Sequence, residues 1–223
     1  MQDYLVFQLY APLVSWGDQA VGQERPSADH PSRSALLGLI AAALGIDRQD
    51  DERQAQLGVV CRFGVKLYES GLALRDFHTV QVPPSSKKAQ YLYTRRNELA
   101  EPGFRLGTML SFRTYQQDSF SVAALWLEHS EPACWTLAEI GRALAQPHFQ
   151  LYLGRKSCPL ALPLNPLQIA ADSLQQALDQ YQPAAEMQRF LHRQAGRRYY
   201  WEFSENIGMT GLKRTGFPVM TSH

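Results

Sequence analysis

Residues 30–45 read HPSRSALLGLIAAALG, and no other stretch restricts the fold as strongly. Leu36, Leu37, Leu39, Ile40 and Leu44 cover most of a helical circumference, so this helix needs cover on more than one side. Its front end is different in character. His30, Pro31, Ser32, Arg33 and Ser34 gather polar and cationic groups at the mouth of a buried segment. Ser32 stands where an N-cap hydroxyl accepts from a free backbone N–H. Gly45 stands where a C′ glycine ends a helix. Gly38 costs about 1 kcal/mol against Ala in a helix interior, which implies close packing there.

The neighbouring segments supply the cover. DYLVFQLYA (3–11), rich in β-branched and aromatic residues, reads as a first strand ended by Pro12. VVCRFGVKLY (59–68) and FSVAALWLEH (120–129) read as two more, and FQLYLG (149–154) as a fourth. TLAEIGRALAQP (136–147) is an amphipathic helix with a capping box at Thr136 and Glu139. The order is β-α-β, a long excursion, then β-α-β, the pattern of an α+β, ferredoxin-like (RRM-like) βαββαβ body. The body is expected over residues 1–164 and a small C-terminal extension over 165–223. Within the extension, 172–181 is a short helix with Asp172 and Gln175 resembling a capping box, 184–196 a second helix, and 197–203 a strand. The excursion at about 72–118 contains two β-like runs, DFHTVQV and AQYLYTRRN, around PPSSKK. It reads as an inserted basic β-hairpin, with Tyr91, Tyr93 and Arg95 on one face by alternation.

Charge distribution says more than the net charge of +1. Residues 62–113 hold nine Lys/Arg against four acids, a balance of +5, whereas the first 30 residues hold four acids and Arg25 alone. Such asymmetry suits one anionic partner face, though a mixed solvated surface would give the same count. No apolar run reaches spanning length and the N-terminus lacks a basic n-region, so no membrane contact and a cytoplasmic location are expected. Cys61, Cys134 and Cys158 are odd in number and far apart, which speaks for buried thiols rather than a zinc site or disulfides. Neither a metal nor a cofactor is expected.

Four places could meet a polyanion. The helix mouth offers Ser32, Arg33 and Ser34, with free N–H groups and the positive dipole end behind them. The loop before it offers Ser15, Trp16 and Arg25; Trp16 could stack on a base or anchor the loop in the core. The turn YLGRKSCP brings Arg155 and Lys156, expected near that loop because a fourth strand lies beside the first. The arm interleaves Lys87, Lys88, Arg95 and Arg96 with Tyr91 and Tyr93, the cation-plus-aromatic composition that suits single-stranded RNA, although tyrosines in a hairpin can also simply pair across strands. Catalytic motifs such as GxSxG, HExxH or a Walker loop do not occur. His78 is counted with the arm's RNA-binding residues; with Lys87 or Lys88 and a nearby Tyr it could compose an acid/base set for RNA cleavage, or it could simply be solvated or packed.

LYAPLVSWG, RPSADHPSRSALLGLIAAALGIDR and YLGRKSCPLALPL together resemble the CasD family of type I-E CRISPR Cascade subunits, within the RAMP superfamily. The resemblance follows nearly the whole chain by order and length and is sharpest in residues 9–48 and 151–164. It implies a ferredoxin-like body with an inserted β-hairpin thumb. It implies a non-catalytic subunit that caps a CRISPR ribonucleoprotein and holds the 5′ handle of the CRISPR RNA. The implied partners are the repeated Cascade backbone subunit and the Cascade large subunit, with target DNA reached only through the complex. A metal-independent endoribonuclease processing CRISPR precursor RNA is the alternative, because a related type I-C member cleaves RNA.

Overall fold

The structure is a computed structural model, and it describes residues 1–82, 94–100, 106–128, 135–187 and 198–201. The chain is α+β. Seven strands form one sheet: β1 (Gln2–Val14), β2 (Glu24–Arg25), β3 (Cys61–Glu69), β4 (Leu72–Val82), β5 (Gly107–Leu127), β6 (Leu167–Ala171) and β7 (Arg198–Trp201). The path across the sheet runs β6-β1-β5-β3-β7, with every pair antiparallel. The sheet thus takes strands from both sides of residue 164. Helices are α1 (Arg33–Ala43), α2 (Asp51–Val60), α3 (Arg95–Ala100), α4 (Leu137–Ala145) and α5 (Leu174–Gln180), followed by a 3₁₀ turn at Ala185–Met187.

Alternation along the strands builds two cores. On one face Leu5, Phe7, Leu9, Phe63, Val65, Ala123 and Leu125 pack with Leu36, Leu39 and Ile40 of α1, Leu57 of α2 and Ile140 of α4. On the other, Tyr4, Val6, Val122, Ala124 and Trp126 pack with Leu174, Ala177 and Leu178 of α5. Gly64 of β3 makes the second contact possible: a Cβ there would lie 2.5 Å from a methyl of Leu174. The same side holds two buried polar groups, both satisfied. Gln8 donates to the Pro163 carbonyl (2.8 Å) and accepts from the Ala184 amide (3.0 Å). Lys66 pairs with Asp179 of α5 at 2.6 Å, and its ammonium lies 4.7 Å from the Tyr68 ring centroid.

Local chemistry explains the helix ends. Ser32 caps α1 by accepting from the Ala35 amide, and Gly45 takes φ +71 after its last turn. The Thr136–Glu139 capping box is formed in full. The capping residue of α5 is Ser173, one place later than the expected Asp172: Ser173 accepts from Gln176 N, and Gln176 accepts from Asp172 N. Helix α2 was not expected. Only Leu57 and Val60 of its ten residues are buried, so its sequence carries little apolar periodicity, and Asp50 starts it. The strand expected from residue 59 therefore begins at Cys61. Gly38 needs a different reading from the close packing expected: it is exposed and a Cβ there would meet nothing within 4 Å. Cys61 and Cys158 are buried free thiols, and Cys134 lies outside the described residues.

Two strand expectations are corrected. Residues 149–154 form no strand; Tyr152 makes a single bridge to Pro159, and β6 occupies the place beside β1. The segment 149–154 is instead turned by Gly154 at φ +89, a backbone state favouring glycine. The excursion is also built differently. Strand β5 is 21 residues long. Its inner half pairs with β3 inside the body, and its outer half, Gly107–Gln117, pairs with β4. Gly71 (φ +83) permits the passage from β3 to β4, because a Cβ there would lie 2.2 Å from the Gln117 carbonyl oxygen. The arm is thus the outward continuation of a body ribbon. Its second run, expected as a strand through Arg95, becomes helix α3 from Arg95 onward. Lys87, Lys88, Tyr91 and Tyr93 lie outside the described residues.

Candidate nucleic-acid interface

The end of β1, the short strand β2 and the Gly154 turn meet at one edge of the body. Ser15 is buried: its amide donates to the Leu153 carbonyl (3.1 Å) and its hydroxyl to the Thr114 carbonyl (3.1 Å). Gly154 lies flat on this segment, with the position of a missing Cβ only 1.7 Å from the Ser15 carbonyl oxygen. Trp16 follows. Its ring belongs to the main core at 7% exposure, so it anchors the loop rather than standing out to stack on a base. Its amide donates to Ser27 Oγ (3.1 Å), while its indole Nε1 is buried without a hydrogen-bond partner.

Arg155 is carried by this turn back onto the first loop. Its Nη2 donates to the Arg25 carbonyl (3.3 Å), and its guanidinium lies 4.7 Å from the ring centroid of Tyr115 on β5. Its Nη1 is buried without a hydrogen-bond partner. The nearness of Arg155 to the first loop thus arises from the Gly154–Ser15 contact, not from a strand at 149–154. Lys156 is exposed beside it. Polar interaction with Ser157, ahead of that with the Arg155 guanidinium, holds the Tyr115 pKa below the usual tyrosine value. Burial pushes the Cys158 thiol up, so it behaves as a packed side chain.

Arg25 is exposed and folds back on the Gly22 and Glu24 carbonyls (2.7 and 2.9 Å). Its strand runs parallel to β5, aligning Arg25 with Arg113, while Arg113 is aligned with Asp76 of β4 on the other side. Arg113 and Tyr115 were overlooked as site residues. Period-two alternation in SFRTY places both on one face of β5 and could have found them.

The helix mouth divides its labour. Ser32 caps α1 and its hydroxyl lies 3.0 Å from that of Ser34, which is exposed. Arg33 reaches the carbonyls that end α2, donating to Gly58 O and to Cys61 O (3.3 Å). Just before the mouth, Asp29 accepts from His30 Nδ1 (2.6 Å) and pairs with Arg198 of β7 (2.6 Å). The His30 bond, ahead of the Arg198 charge, holds the Asp29 carboxyl below the usual range. The His30 ring lies flat on Tyr200, centroids 3.6 Å apart.

On the arm, His78 faces Asp76 at 3.0 Å and is aligned with Ser111. Arg95 donates to the Gln81 carbonyl and Arg96 is exposed. Ser15, Trp16, Arg25 and Arg155 are thus brought together, joined by Tyr115 and Arg113. Among the described residues, no group of three His, Cys, Asp or Glu is placed to hold a metal ion. Nor is any described helix long and apolar enough to cross a membrane.

A family model described as CRISPR-associated protein (Cas_Cas5) matches residues 4–215. The CRISPR system Cascade subunit CasD of Escherichia coli (strain K12) is 33% identical over 191 residues, covering 82% of this chain and 79% of that protein. Among solved structures, a chain of a CRISPR RNA-guided surveillance complex is 30% identical with a TM-score of 0.51. That match covers 72% of this chain and 61% of the solved one, so this chain spans less than two thirds of its length. A crystal structure of a Cas protein is 27% identical at a TM-score of 0.48, covering 79% of this chain and 69% of that one.

Proposed function

Because this chain belongs to the CRISPR-associated Cas5 family, we propose that it is a non-catalytic, RNA-binding subunit of a Cascade-type surveillance complex. It holds the 5′ handle of the CRISPR RNA and docks the repeated backbone subunit and the large subunit. One observation carries this reading: the Gly154 turn seats Arg155 against the Ser15–Arg25 loop, with Lys156 exposed next to it, concentrating cations at the root of a basic arm. Cations beside a strand root suit the phosphates of a bent single strand, which give affinity, while unpaired bases give specificity. Ser34 at the mouth of α1 and Arg96 on the arm extend the surface. The body is read as ferredoxin-like, supported by the strand order β6-β1-β5-β3 with α1 and α4 on one face.

The test is binding to repeat-derived RNA over a salt series. Arg155→Glu and Arg25→Glu are expected to weaken binding at least tenfold and to flatten its salt dependence. Unchanged affinity at every salt concentration would overturn the placement. Incubation with precursor RNA in EDTA is expected to leave it intact; discrete cleavage that is abolished by His78→Ala would show the endoribonuclease instead.

A further inference from the structure

Arg155 can serve an RNA phosphate only if its guanidinium is held in place, because a free arginine side chain on a turn samples many rotamers and loses that freedom on binding. The turn itself is rigid. Cys158 N donates to Arg155 O and Leu153 N to Cys158 O, both at 2.8 Å, and Gly154 rests on Ser15. Beyond Cβ, the described contacts of Arg155 are few. The Arg25 carbonyl accepts one long bond at 3.3 Å, and the guanidinium carbon lies over the Tyr115 ring, 4.7 Å from its centroid. Tyr115 is set in the body: it is 7% exposed, sits in the main core, and is aligned with Leu74 of β4 on one edge of its strand.

We infer that Tyr115 is the positioning residue of this interface, its ring forming the platform that holds the Arg155 guanidinium ready for a phosphate of single-stranded RNA. This rests on the reading of Arg155 as a phosphate contact. The platform acts through the negative face of the ring and through shape, so the phenol oxygen is secondary. A cation held over a ring gains a factor of about three to thirty in its own placement, and this is the affinity the platform supplies.

The experiment measures the affinity of repeat-derived single-stranded RNA for the full chain against salt concentration. The variants are Arg155→Ala, Tyr115→Phe, Tyr115→Leu, pentafluorophenylalanine at position 115, and Tyr115→Leu combined with Arg155→Ala. Pentafluorophenylalanine keeps the ring's volume and reverses its quadrupole, so it covers the case in which Tyr115→Leu does not fold. Arg155→Ala is expected to weaken binding and to lower the salt slope by about 0.7, one single-strand phosphate. Tyr115→Leu and the fluorinated ring are expected to lose about three- to thirtyfold with a similar loss of slope, and the double variant to lose no more than Arg155→Ala alone. Tyr115→Phe is expected to bind within about twofold of the parent. Full affinity in Arg155→Ala would remove the phosphate contact itself. Weak binding in Arg155→Ala alongside unchanged binding with the fluorinated ring, or additive losses in the double variant, would overturn the role of Tyr115 and leave the phosphate contact standing.

Discussion

Replacing Gly154 by Ala should damage this protein more than its surface position suggests. The glycine is exposed, yet it joins two segments more than a hundred residues apart. Its φ of +89 lies where an L side chain is strained, at about 1–2 kcal/mol. A Cβ would lie 1.7 Å from the Ser15 carbonyl oxygen and 2.6 Å from the carbonyl carbon, both backbone atoms that no rotamer change can move. Relief requires the turn to retreat by about 2 Å to reach ordinary contact distance. Such a retreat breaks the bond from Ser15 N to Leu153 O, worth about 1 kcal/mol. The sum is about 2–3 kcal/mol. At roughly 2–4 °C per kcal/mol for a chain of this size, the melting temperature should fall by about 4–12 °C. Thermal and urea unfolding of the purified variant measure this directly. Gly38→Ala is the control: it sits in an exposed helical position with open space around it, so it should raise stability by about 0.5–1 kcal/mol. A Gly154→Ala variant within about 0.5 kcal/mol of the parent would refute the account of how Arg155 is brought to the first loop.

The Asp29 carboxyl is held down chiefly by its bond from His30, so its contribution is present above the unfolded carboxylate pKa and lost as pH falls through the folded one. Urea unfolding should therefore show parental stability dropping more steeply below about pH 4 than in Asp29→Asn; parallel pH profiles would contradict this. On the opposite face, Asp179→Ala leaves the Lys66 ammonium buried with only ring partners. It should lower stability by about 1.5–3 kcal/mol in urea melts, whereas a neutral effect would mean that the half-exposed carboxylate contributes no more than a surface pair.

Much of the body was legible because its signals are local. β-branched and aromatic content in DYLVFQLYA and alternation in CRFGVKLY placed β1 and β3, and the Ser32 and Thr136 hydroxyls placed two helix starts. What escaped had non-local causes. Helix α2 buries so little that no periodicity marks it, yet it receives the Arg33 guanidinium on its last carbonyls, which removes a cation from the mouth of α1. The 149–154 segment is apolar enough for a strand, but its backbone is claimed by Ser15 and by its own Gly154 turn rather than by a sheet neighbour. Trp16 looked equally able to stack or to anchor; the space between β1 and the turn decided for anchoring. Tyr115 and Arg113 were overlooked because the strand that carries them continues from the body into the arm, a join visible only in the register of β5.

Crosslinking tests the central claim most directly. Irradiation of the chain bound to guide RNA, followed by mapping of the crosslinked peptides, should place RNA on residues 15–34 and on the 154–157 turn. Crosslinks absent from both segments, in a complex that still assembles, would contradict the proposed interface and make this chain an adaptor that contacts only protein.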